Sequence, residues 1–271
     1  MDLDLHLHST ASDGTASPSE VVSYAVEARL DVIALTDHDT VQGVPEALRA
    51  AEGHPIQVIP GIEVSCSHED SEIHVLGYFV DASDETLLSQ TGEAGRRREE
   101  RMAGMVRNLQ EDGFEVSMAQ VRRIAGSDET TLARPHLARA LAESGYVDAP
   151  REAFDRFIGN EHKAYIPTRL QSVERGIEMI RSAGGIAIWA HPQEDRVEAF
   201  LPAMVEAGLA GVEIYRPRTP NRKIRLLERM VRTYDLLATG GSDWHGLDQG
   251  PLGEFRVRAR EIERFLEVGG L

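Results

Sequence analysis

Hydrophobic and polar positions along this chain follow two different periods, which predict strands and helices in turn. Apolar and polar residues alternate strictly over Asp2–His8, the period of a β-strand, so His6 and His8 lie on the same face. Asp31–Thr36 is an almost continuous apolar run that is typical of a buried parallel strand. Three later strands are predicted at Ile186–Ala190, Gly211–Tyr215 and Leu236–Thr239.

Helices are predicted between these strands. The first has a clear start signal, with Ser17 as N-cap, Pro18 at the first helical position and Glu20 placed to close a capping box, and it runs to about Arg29. The others are predicted at about Val41–Glu52, Ser172–Ser182, Val197–Ala207 and Asn221–Tyr234. The alternation of strands and helices predicts an α/β fold related to the βα barrel, with about seven strands.

Two features interrupt this alternation. The apolar runs Ile56–Val64 and Ile73–Val80 flank a short polar stretch and predict a hairpin that turns near residues 68–69. In such a hairpin Glu63 and His74 fall nearly opposite one another, which brings a carboxylate beside an imidazole.

The second interruption is a charged helical stretch after the fourth strand, in which the β signal vanishes. We expect residues 1–85 and 160–271 to form the barrel domain and residues 86–159 to form a helical insertion. Within it, the run Arg96–Arg101 is expected to be a salt-bridged helix surface.

Composition narrows the class of protein. A chain of 271 residues with 41% hydrophobic content can bury a sizeable core. The lone Cys66 excludes an intrachain disulfide framework, and candidate ligands from residue 6 onward leave no room for a signal peptide, so we expect a cytoplasmic protein. No apolar run is long enough for a membrane span. The net charge of −16 argues against binding of duplex DNA, and a small or single-stranded anionic substrate remains as the expected partner. The sequence indicates no obligate protein partner.

The candidate chemistry lies where predicted strands end. Imidazoles and carboxylates close or follow most of them, and barrel enzymes place their chemistry at this end of the barrel. The residues are His6, His8, Asp37, His38, Glu63, His191, Asp243 and His245, joined by His74 through the hairpin. Such ligands suit zinc, manganese or iron, and the near absence of thiols disfavours an iron–sulfur cluster.

These motifs, in this order, resemble those of the PHP (polymerase and histidinol phosphatase) phosphoesterases. They are His6-Leu7-His8-Ser9 with Asp13, Thr36-Asp37-His38, Gly61-Ile62-Glu63, His74, Ala190-His191-Pro192 and Ser242-Asp243-Trp244-His245. The resemblance implies a distorted (β/α)7 barrel of the amidohydrolase-like group with two or three divalent ions, manganese, iron or zinc.

By the same resemblance, the ligands divide into three sets. One ion is held by His6, His8, Glu63 and Asp243. A second is held by Glu63 as bridge, His74 and His191, and a third by Asp13, His38 and His245. Asp37 and Asp39 are expected behind these ligands, orienting imidazoles.

The helical insertion and Arg134-Pro135-His136 resemble the branch with 3′,5′-nucleotide bisphosphate phosphatases and 5′-to-3′ exoribonucleases. The expected reaction is hydrolysis of a nucleotide phosphomonoester, with extension to the 5′ end of short RNA. Clustered cations lower the pKa of bound water, so a nucleophile exists at neutral pH. Asp243 belongs to the catalytic group, and His191 or His245 would protonate the leaving oxygen.

Candidate substrate contacts are cationic or aromatic residues outside the ligand set. They are Arg134, His136, Lys163 and Tyr165 in or beside the insertion, and Arg216 and Arg218 after the sixth strand. Members of this family often have Arg-Tyr shortly after the His-Pro motif, whereas His191-Pro192 here leads into Gln193. The resemblance therefore implies the identity of the substrate less firmly than the binding of metal. The alternatives are a phosphatase of another metabolite such as histidinol phosphate, a non-catalytic PHP module, and a deaminase or amidase, which the bridging Glu63 disfavours.

Overall fold

The computed structural model describes residues 1–69 and 71–271. Within these ranges it contains nine strands: β1 (Asp2–Leu7), β2 (Val32–Leu35), β3 (Gln57–His68), β4 (Ser71–Tyr78), β5 (Gln171–Ser172), β6 (Ile186–Trp189), β7 (Gly211–Tyr215), β8 (Leu237–Gly240) and β9 (Val257–Arg258). It contains ten α-helices: α1 (Pro18–Glu27), α2 (Val44–Ala51), α3 (Glu85–Glu111), α4 (Met118–Ala125), α5 (Arg134–Glu143), α6 (Pro150–Ala153), α7 (Val173–Ser182), α8 (Val197–Glu206), α9 (Asn221–Thr233) and α10 (Glu263–Gly269).

The strands form one sheet that curls into a nearly closed barrel. Its order is β8-β7-β6-β4-β3-β2-β1-β9, and the two-residue β5 pairs with β3. The gap between β8 and β1 is bridged by the segment after β8, because Asp243 N–H donates to the His6 carbonyl and His8 N–H to the Trp244 carbonyl, each at 3.0 Å. This confirms the predicted α/β barrel; the strands beyond the expected seven are the short β5 and β9.

The strand β4 runs against its neighbours. It is antiparallel to both β3 and β6, whereas β1, β2 and β3 are mutually parallel, as are β6, β7 and β8. The beginning of β4 therefore lies at the barrel end where the parallel strands finish. This direction is what allows His74, close to the start of β4, to join residues from strand ends.

The predicted β3–β4 hairpin is present, but its register differs from the expected one. Glu63 pairs with Leu76, and His74 pairs with Ser65, so Glu63 and His74 are diagonal neighbours two positions apart. Their side chains still meet, with His74 Nδ1 3.0 Å from Glu63 Oε1. The prediction that this hairpin brings a carboxylate beside an imidazole is therefore confirmed, with the pair lying diagonally across the two strands.

Sequence signals predict the first residue of a helix correctly where a polar N-cap residue is present. Ser17 Oγ accepts from Glu20 N–H at 3.2 Å and Glu20 Oε2 accepts from Ser17 N–H at 2.7 Å, which closes the predicted capping box of α1. The helix α3 begins at Glu85, well before the charged run Arg96–Arg101, and the Asp84 carboxylate accepts from Leu87 N–H at its start. Glycines at positions 92 and 95 lower the helix propensity of the first half of α3, so the sequence pattern did not show that part of the helix.

The helices α3 to α6 follow β4, as predicted, and have an apolar cluster of their own. Met105, Val121, Leu137 and Leu141 are among its fully buried members. Other clusters pack the remaining helices around the barrel strands. Over the described residues, none of the helices combines the length and the apolar character that crossing a membrane requires.

Candidate metal centre

The polar side chains at the strand ends converge at one mouth of the barrel. His6 lies on β1 and His8 just after it, Glu63 lies on β3 and His74 on β4. His38, His191, Asp243 and His245 follow β2, β6 and β8. His6, His8 and Glu63 have no exposed surface at all. The barrel therefore gathers in space ligands that are spread over most of the chain.

Three overlapping groups of these side chains are spaced closely enough to hold metal ions. In each group, one possible ligand atom per residue lies within 4.8 Å of all the others. The groups are His6, His8, Glu63 and Asp243; His38, Glu63 and His74; and His8, Asp13, His38 and His245. The first is the set expected from the family resemblance. The second contains His38 beside Glu63 and His74 and does not include the expected His191, which lies 2.8 Å from Glu63 Oε1. The third contains the expected Asp13, His38 and His245 and adds His8.

The Glu63 carboxylate is the common centre of these groups. Its Oε2 lies 3.1 Å from His38 Nδ1 and 3.3 Å from the Nε2 atoms of His6 and His8. Its Oε1 lies 2.8 Å from His191 Nε2 and 3.0 Å from His74 Nδ1. One buried carboxylate therefore touches imidazoles from all three sets that the resemblance assigns to separate ions.

Charge at the centre is strongly coupled. Burial raises the pKa of Glu63, but the imidazoles of His38, His6 and His74 outweigh burial and hold that pKa well below its usual value. Burial lowers the pKa of His74, but the carboxylates of Glu63 and Glu72 together outweigh burial and raise that pKa to about 10. The raised pKa values of His6, His8 and His74 mean that these imidazoles hold protons in the metal-free centre, and the protons must leave when cations bind.

Several buried polar atoms at the centre find no hydrogen-bond partner among the described residues. They are His6 Nε2, both ring nitrogens of His8, His38 Nδ1 and Glu63 Oε2. Buried polar groups are almost always satisfied, because leaving one unpaired costs about 1–3 kcal/mol. Nitrogen and carboxylate atoms clustered in this way are a donor set that fits divalent cations.

Glu213 supports the centre from behind and was missed by the sequence analysis. It is fully buried on β7; its Oε1 accepts from His6 Nδ1–H at 2.8 Å and its Oε2 from the His191 backbone N–H at 2.7 Å. A carboxylate on Nδ1 fixes the imidazole tautomer and turns Nε2 toward the cluster. The available signal was an acidic residue inside the apolar run Gly211–Tyr215.

The two acids expected to orient imidazoles do something else. Asp37 accepts at 2.7 Å from Ser9 N–H, Ser9 Oγ and Ser12 Oγ, so it holds the loop after β1. Asp39 accepts from Arg98 Nε at 2.7 Å and ties α3 to the barrel. The prediction for Asp37 and Asp39 was wrong, since their near neighbours are serines and a guanidinium rather than ring nitrogens. Arg98 is buried, not part of a solvated surface.

Comparison with protein families decides what kind of barrel this is. A family model described as the PHP domain matches residues 4–172. The chain belongs to the PHP domain family. This confirms the resemblance drawn from the motifs. The relatives and the solved structure below confirm the expectation of a metal-dependent hydrolase of phosphate esters.

Individual PHP relatives cover nearly the whole chain. It is 32% identical over 247 residues to a 5′-3′ exoribonuclease of Haemophilus influenzae, covering 89% of each protein. It is 32% identical over 266 residues to a phosphoribosyl 1,2-cyclic phosphate 1,2-diphosphodiesterase of Eggerthella lenta, covering 94% of this chain and 99% of that protein. It is 29% identical over 277 residues to a 3′,5′-nucleoside bisphosphate phosphatase of Chromobacterium violaceum, covering 98% and 97%.

A solved structure extends this agreement to three dimensions. A Bifidobacterium adolescentis protein proposed to be a metal-dependent phosphoesterase superposes with a TM-score of 0.89 at 33% identity, covering 97% of this chain and 95% of that one. The PHP barrel with its helical segment is therefore shared as a whole.

The candidate substrate residues of the insertion are placed unequally around the PHP centre. Arg134 lines a cavity of about 220 Å³ together with His74, Arg98 and Arg101, which we call the arginine cavity. The pKa of Arg101 is lowered to about 10, mainly by burial and in addition by the neighbouring Arg134 guanidinium. Arg98 and Arg101 are further cationic groups that sequence reasoning did not assign to the site.

Three other candidates do not line the arginine cavity. Tyr165 packs beside the arginines, its ring 5.4 Å from both the Arg101 and Arg134 guanidinium carbons. Lys163 is exposed and pairs with Asp112. His136 is 1% exposed and its Nδ1 accepts from Ala133 N–H, so burial leaves it no surface for a substrate contact.

Arg216 and Arg218 lie on the other side of the PHP centre. Arg216 Nη2 donates to Asp243 Oδ2 at 2.7 Å, and its Nε lies 3.3 Å from Glu213 Oε2. Arg218 is exposed at the rim of the same region. Arg216 therefore braces a residue of the first metal group, while Arg218 faces outward.

Proposed function

We propose that this protein is a metal-dependent phosphoesterase that removes the 3′-phosphate from a small 3′,5′-bisphosphorylated nucleotide, such as adenosine 3′,5′-bisphosphate, and leaves the 5′-mononucleotide. One observation carries the proposal: imidazoles and carboxylates of the metal groups border the same cavity as three guanidinium groups. The names of the relatives that act on phosphate esters support the substrate class.

The residues present fit two or three divalent cations, for which we propose manganese, iron or zinc. His6, His8, Glu63 and Asp243 would hold the first. Glu63, His74 and His191 would hold the second, with His38 within reach, and Asp13, His38 and His245 the third, with His8 shared. Bound there, the cations would supply a water of lowered pKa and positive charge against the phosphate oxygens.

Residues of the chain itself would hold the metal ligands in place and supply the proton for the leaving group. Asp243 is held by Arg216 on one carboxylate oxygen, which leaves the other, Oδ1, 3.3 Å from His8 Nε2. His191 and His245 have exposed side-chain fractions of 27% and 22%, larger than the wholly buried His6 and His8, so both can exchange protons with solvent. We assign to one of these two imidazoles the proton that the leaving 3′-oxygen requires.

The second phosphate of the substrate would be recognised in the arginine cavity. Arg134 is partly exposed and its Nη1 donates to Asn160 Oδ1 at 2.8 Å, and Arg98 and Arg101 add positive charge to the same cavity. Guanidinium groups match phosphate geometry through paired N–H donors. A 5′-phosphate bound there would leave the 3′-phosphate of the same nucleotide at the metal groups.

A substrate panel with purified protein and manganese tests the proposal. We expect phosphate release from adenosine 3′,5′-bisphosphate and none from histidinol phosphate; phosphoribosyl 1,2-cyclic phosphate, a mononucleotide and short 5′-phosphorylated RNA complete the panel. Turnover of histidinol phosphate alone would favour the rival phosphatase, and no turnover of any ester with metal bound would favour a non-catalytic module.

The role of the arginine cavity has a matched test. Arg134→Gln should raise KM for the bisphosphate at least tenfold and leave KM for a 3′-mononucleotide unchanged, because only the former carries a 5′-phosphate. Arg151→Gln, on the exposed face of α6, should change neither. An equal loss on both substrates would refute recognition of the 5′-phosphate at this position.

We also propose that residues 86–159 form an insertion subdomain on a barrel domain made of residues 1–85 and 160–271. The separate apolar cluster of α3 to α6 supports this division, although that cluster also takes in Ala164 and Ile166. Arg98, on α3, joins the two parts through Asp39 and Ser65. The arginine cavity would then lie where the insertion meets the barrel mouth.

A further inference from the structure

A second, larger cavity opens beside the metal groups on the side away from the insertion. Its volume is about 680 Å³, and it is lined by residues 216–218, 242–244, 248–249 and 251–255, which follow β7 and β8. Asp243 forms the wall that it shares with the first metal group. We call it the Arg218 cavity, after the exposed cation at its rim.

The metal groups lie between the two cavities. The arginine cavity borders Asp13, His38 and His74, which come from the β1, β2 and β4 side of the barrel mouth. The Arg218 cavity borders Asp243, from the β8 side, and the two cavities share no lining residue within the described chain. In the proposed function a bisphosphorylated mononucleotide would occupy only the arginine cavity and the metal groups, which leaves the Arg218 cavity for a substrate that continues past the reacting phosphate.

The walls of the Arg218 cavity offer mixed chemistry. Arg218 enters none of the ion pairs among the described residues, whereas Arg216 is already bound to Asp243. Phe255 is partly buried and presents an aromatic ring, and Asp248 and Glu254 contribute carboxylates. A free phosphate would be repelled by these carboxylates. A nucleotide matches each of these wall groups. Its phosphate pairs with the Arg218 guanidinium, its base stacks on the Phe255 ring, and its ribose hydroxyls or base N–H groups donate to the carboxylates.

The floor of the cavity is held rigidly. Trp244 is buried and its Nε1–H donates to the Gly250 carbonyl at 2.9 Å. Gln249 Oε1 accepts from His245 N–H at 3.0 Å, which ties the cavity loop to the third metal group. The volume is within the range of small-molecule sites, about 300–1,000 Å³, so one nucleotide fits.

We propose that the Arg218 cavity binds the ribonucleotide on the 3′ side of the reacting phosphate, that is, the second nucleotide of a short 5′-phosphorylated RNA. This inference rests on the proposed function and extends it from one nucleotide to a chain. The same bond breaks in both substrates: water oxygen bonds to phosphorus, the bond from phosphorus to O3′ of the first nucleotide breaks, and O3′ takes a proton while water loses one to solvent. The first nucleotide leaves as a 5′-mononucleotide, and the shortened RNA keeps the phosphate as its new 5′ end.

Two variants test the cavity without touching the metal groups. Arg218→Gln removes the charge and keeps the length of the side chain; Phe255→Leu removes the aromatic face and keeps apolar packing. Both should raise KM for a 5′-phosphorylated trinucleotide about tenfold and change KM for adenosine 3′,5′-bisphosphate less than twofold. The matched control is Arg222→Gln on α9, where Arg222 is exposed and pairs with Glu194 in another cavity.

Binding is measured beside turnover, by fluorescence anisotropy of the labelled trinucleotide with manganese, and melting curves check that each variant is folded. RNA binding about tenfold weaker in Arg218→Gln, with Arg222→Gln unchanged, supports the inference. Unchanged RNA binding in Arg218→Gln and Phe255→Leu overturns it, as does equal loss on both substrates. If the unmodified protein hydrolyses the bisphosphate but neither binds nor cuts the RNA, this inference fails and the proposed function stands. If it binds the RNA through Arg218 but hydrolyses no ester, the proposed function fails instead.

Discussion

Replacing Glu213 by glutamine tests whether this buried carboxylate supports metal binding by orienting His6. The carboxylate accepts two hydrogen bonds, from His6 Nδ1–H at 2.8 Å and from the His191 backbone N–H at 2.7 Å. A glutamine amide has one oxygen, so its NH₂ group must face the other donor. One charge-assisted hydrogen bond is lost in a fully buried place.

The magnitude follows from that single loss. A hydrogen bond to a charged group contributes about 1.5–3 kcal/mol, and about 1.4 kcal/mol corresponds to tenfold in affinity. Glu213→Gln should therefore weaken cation binding about ten- to hundredfold, as outer partners of metal ligands commonly do. Glu213 also favours protonated His6 in the metal-free protein, although burial opposes that raised pKa. Relief of this proton competition offsets part of the loss and places the effect nearer tenfold.

Manganese binding is measured by isothermal titration calorimetry and by metal content after gel filtration. Glu228→Gln is the matched control, because Glu228 accepts from the Tyr215 hydroxyl on the outer side of β7 and lies outside the metal groups. Thermal unfolding without metal shows whether the variant is folded. Manganese affinity within twofold of the unmodified protein would refute the idea that Glu213 orients His6.

Three further predictions concern the centre, the insertion and the barrel packing. Glu63→Gln should lower the content of bound manganese at more than one site, because the carboxylate touches imidazoles of all three sets; metal analysis after gel filtration measures this. Burial lowers the pKa of His136 to about 4 from 6.5, so the unfolded chain binds more protons between these values and the free energy of unfolding falls by about 3 kcal/mol as pH drops from 6.5 to 4. His136→Asn should flatten that part of the profile in urea unfolding. Gly176→Ala places a Cβ 2.3 Å from Cys66 Sγ and should destabilise by about 1–3 kcal/mol, which Cys66→Ala in the same chain should partly restore.

Each of these has its own contradicting result. Normal activity and metal content in Glu63→Gln would remove the bridging assignment. An unchanged pH profile in His136→Asn would mean that other groups cause the acid sensitivity. A Gly176→Ala protein that is no less stable than the unmodified chain, or a double variant less stable than either single one, would show that α7 moves to relieve the contact.

Much of the site was predictable because its signals are local in the chain. His6 and His8 share a face by strand periodicity, and the capping box at Ser17 needs only residues three apart. Strands that end in Asp37-His38, His191 or Asp243 could be read as barrel-mouth positions, because parallel strands all finish at the same end. Alternation of element types was enough for the α/β barrel.

What only the tertiary structure decided are contacts between distant positions, which no local period encodes. Glu213 meets His6 across 207 positions, and Arg98 reaches Asp39 across 59, so neither role is visible from neighbours in sequence. The diagonal approach of Glu63 and His74 depends on where β3 ends, and the burial of His136 depends on packing within the insertion. The sequence determined which chemistry this protein carries; the closing of the barrel determined which side chains touch, because packing and register are set by the whole chain at once.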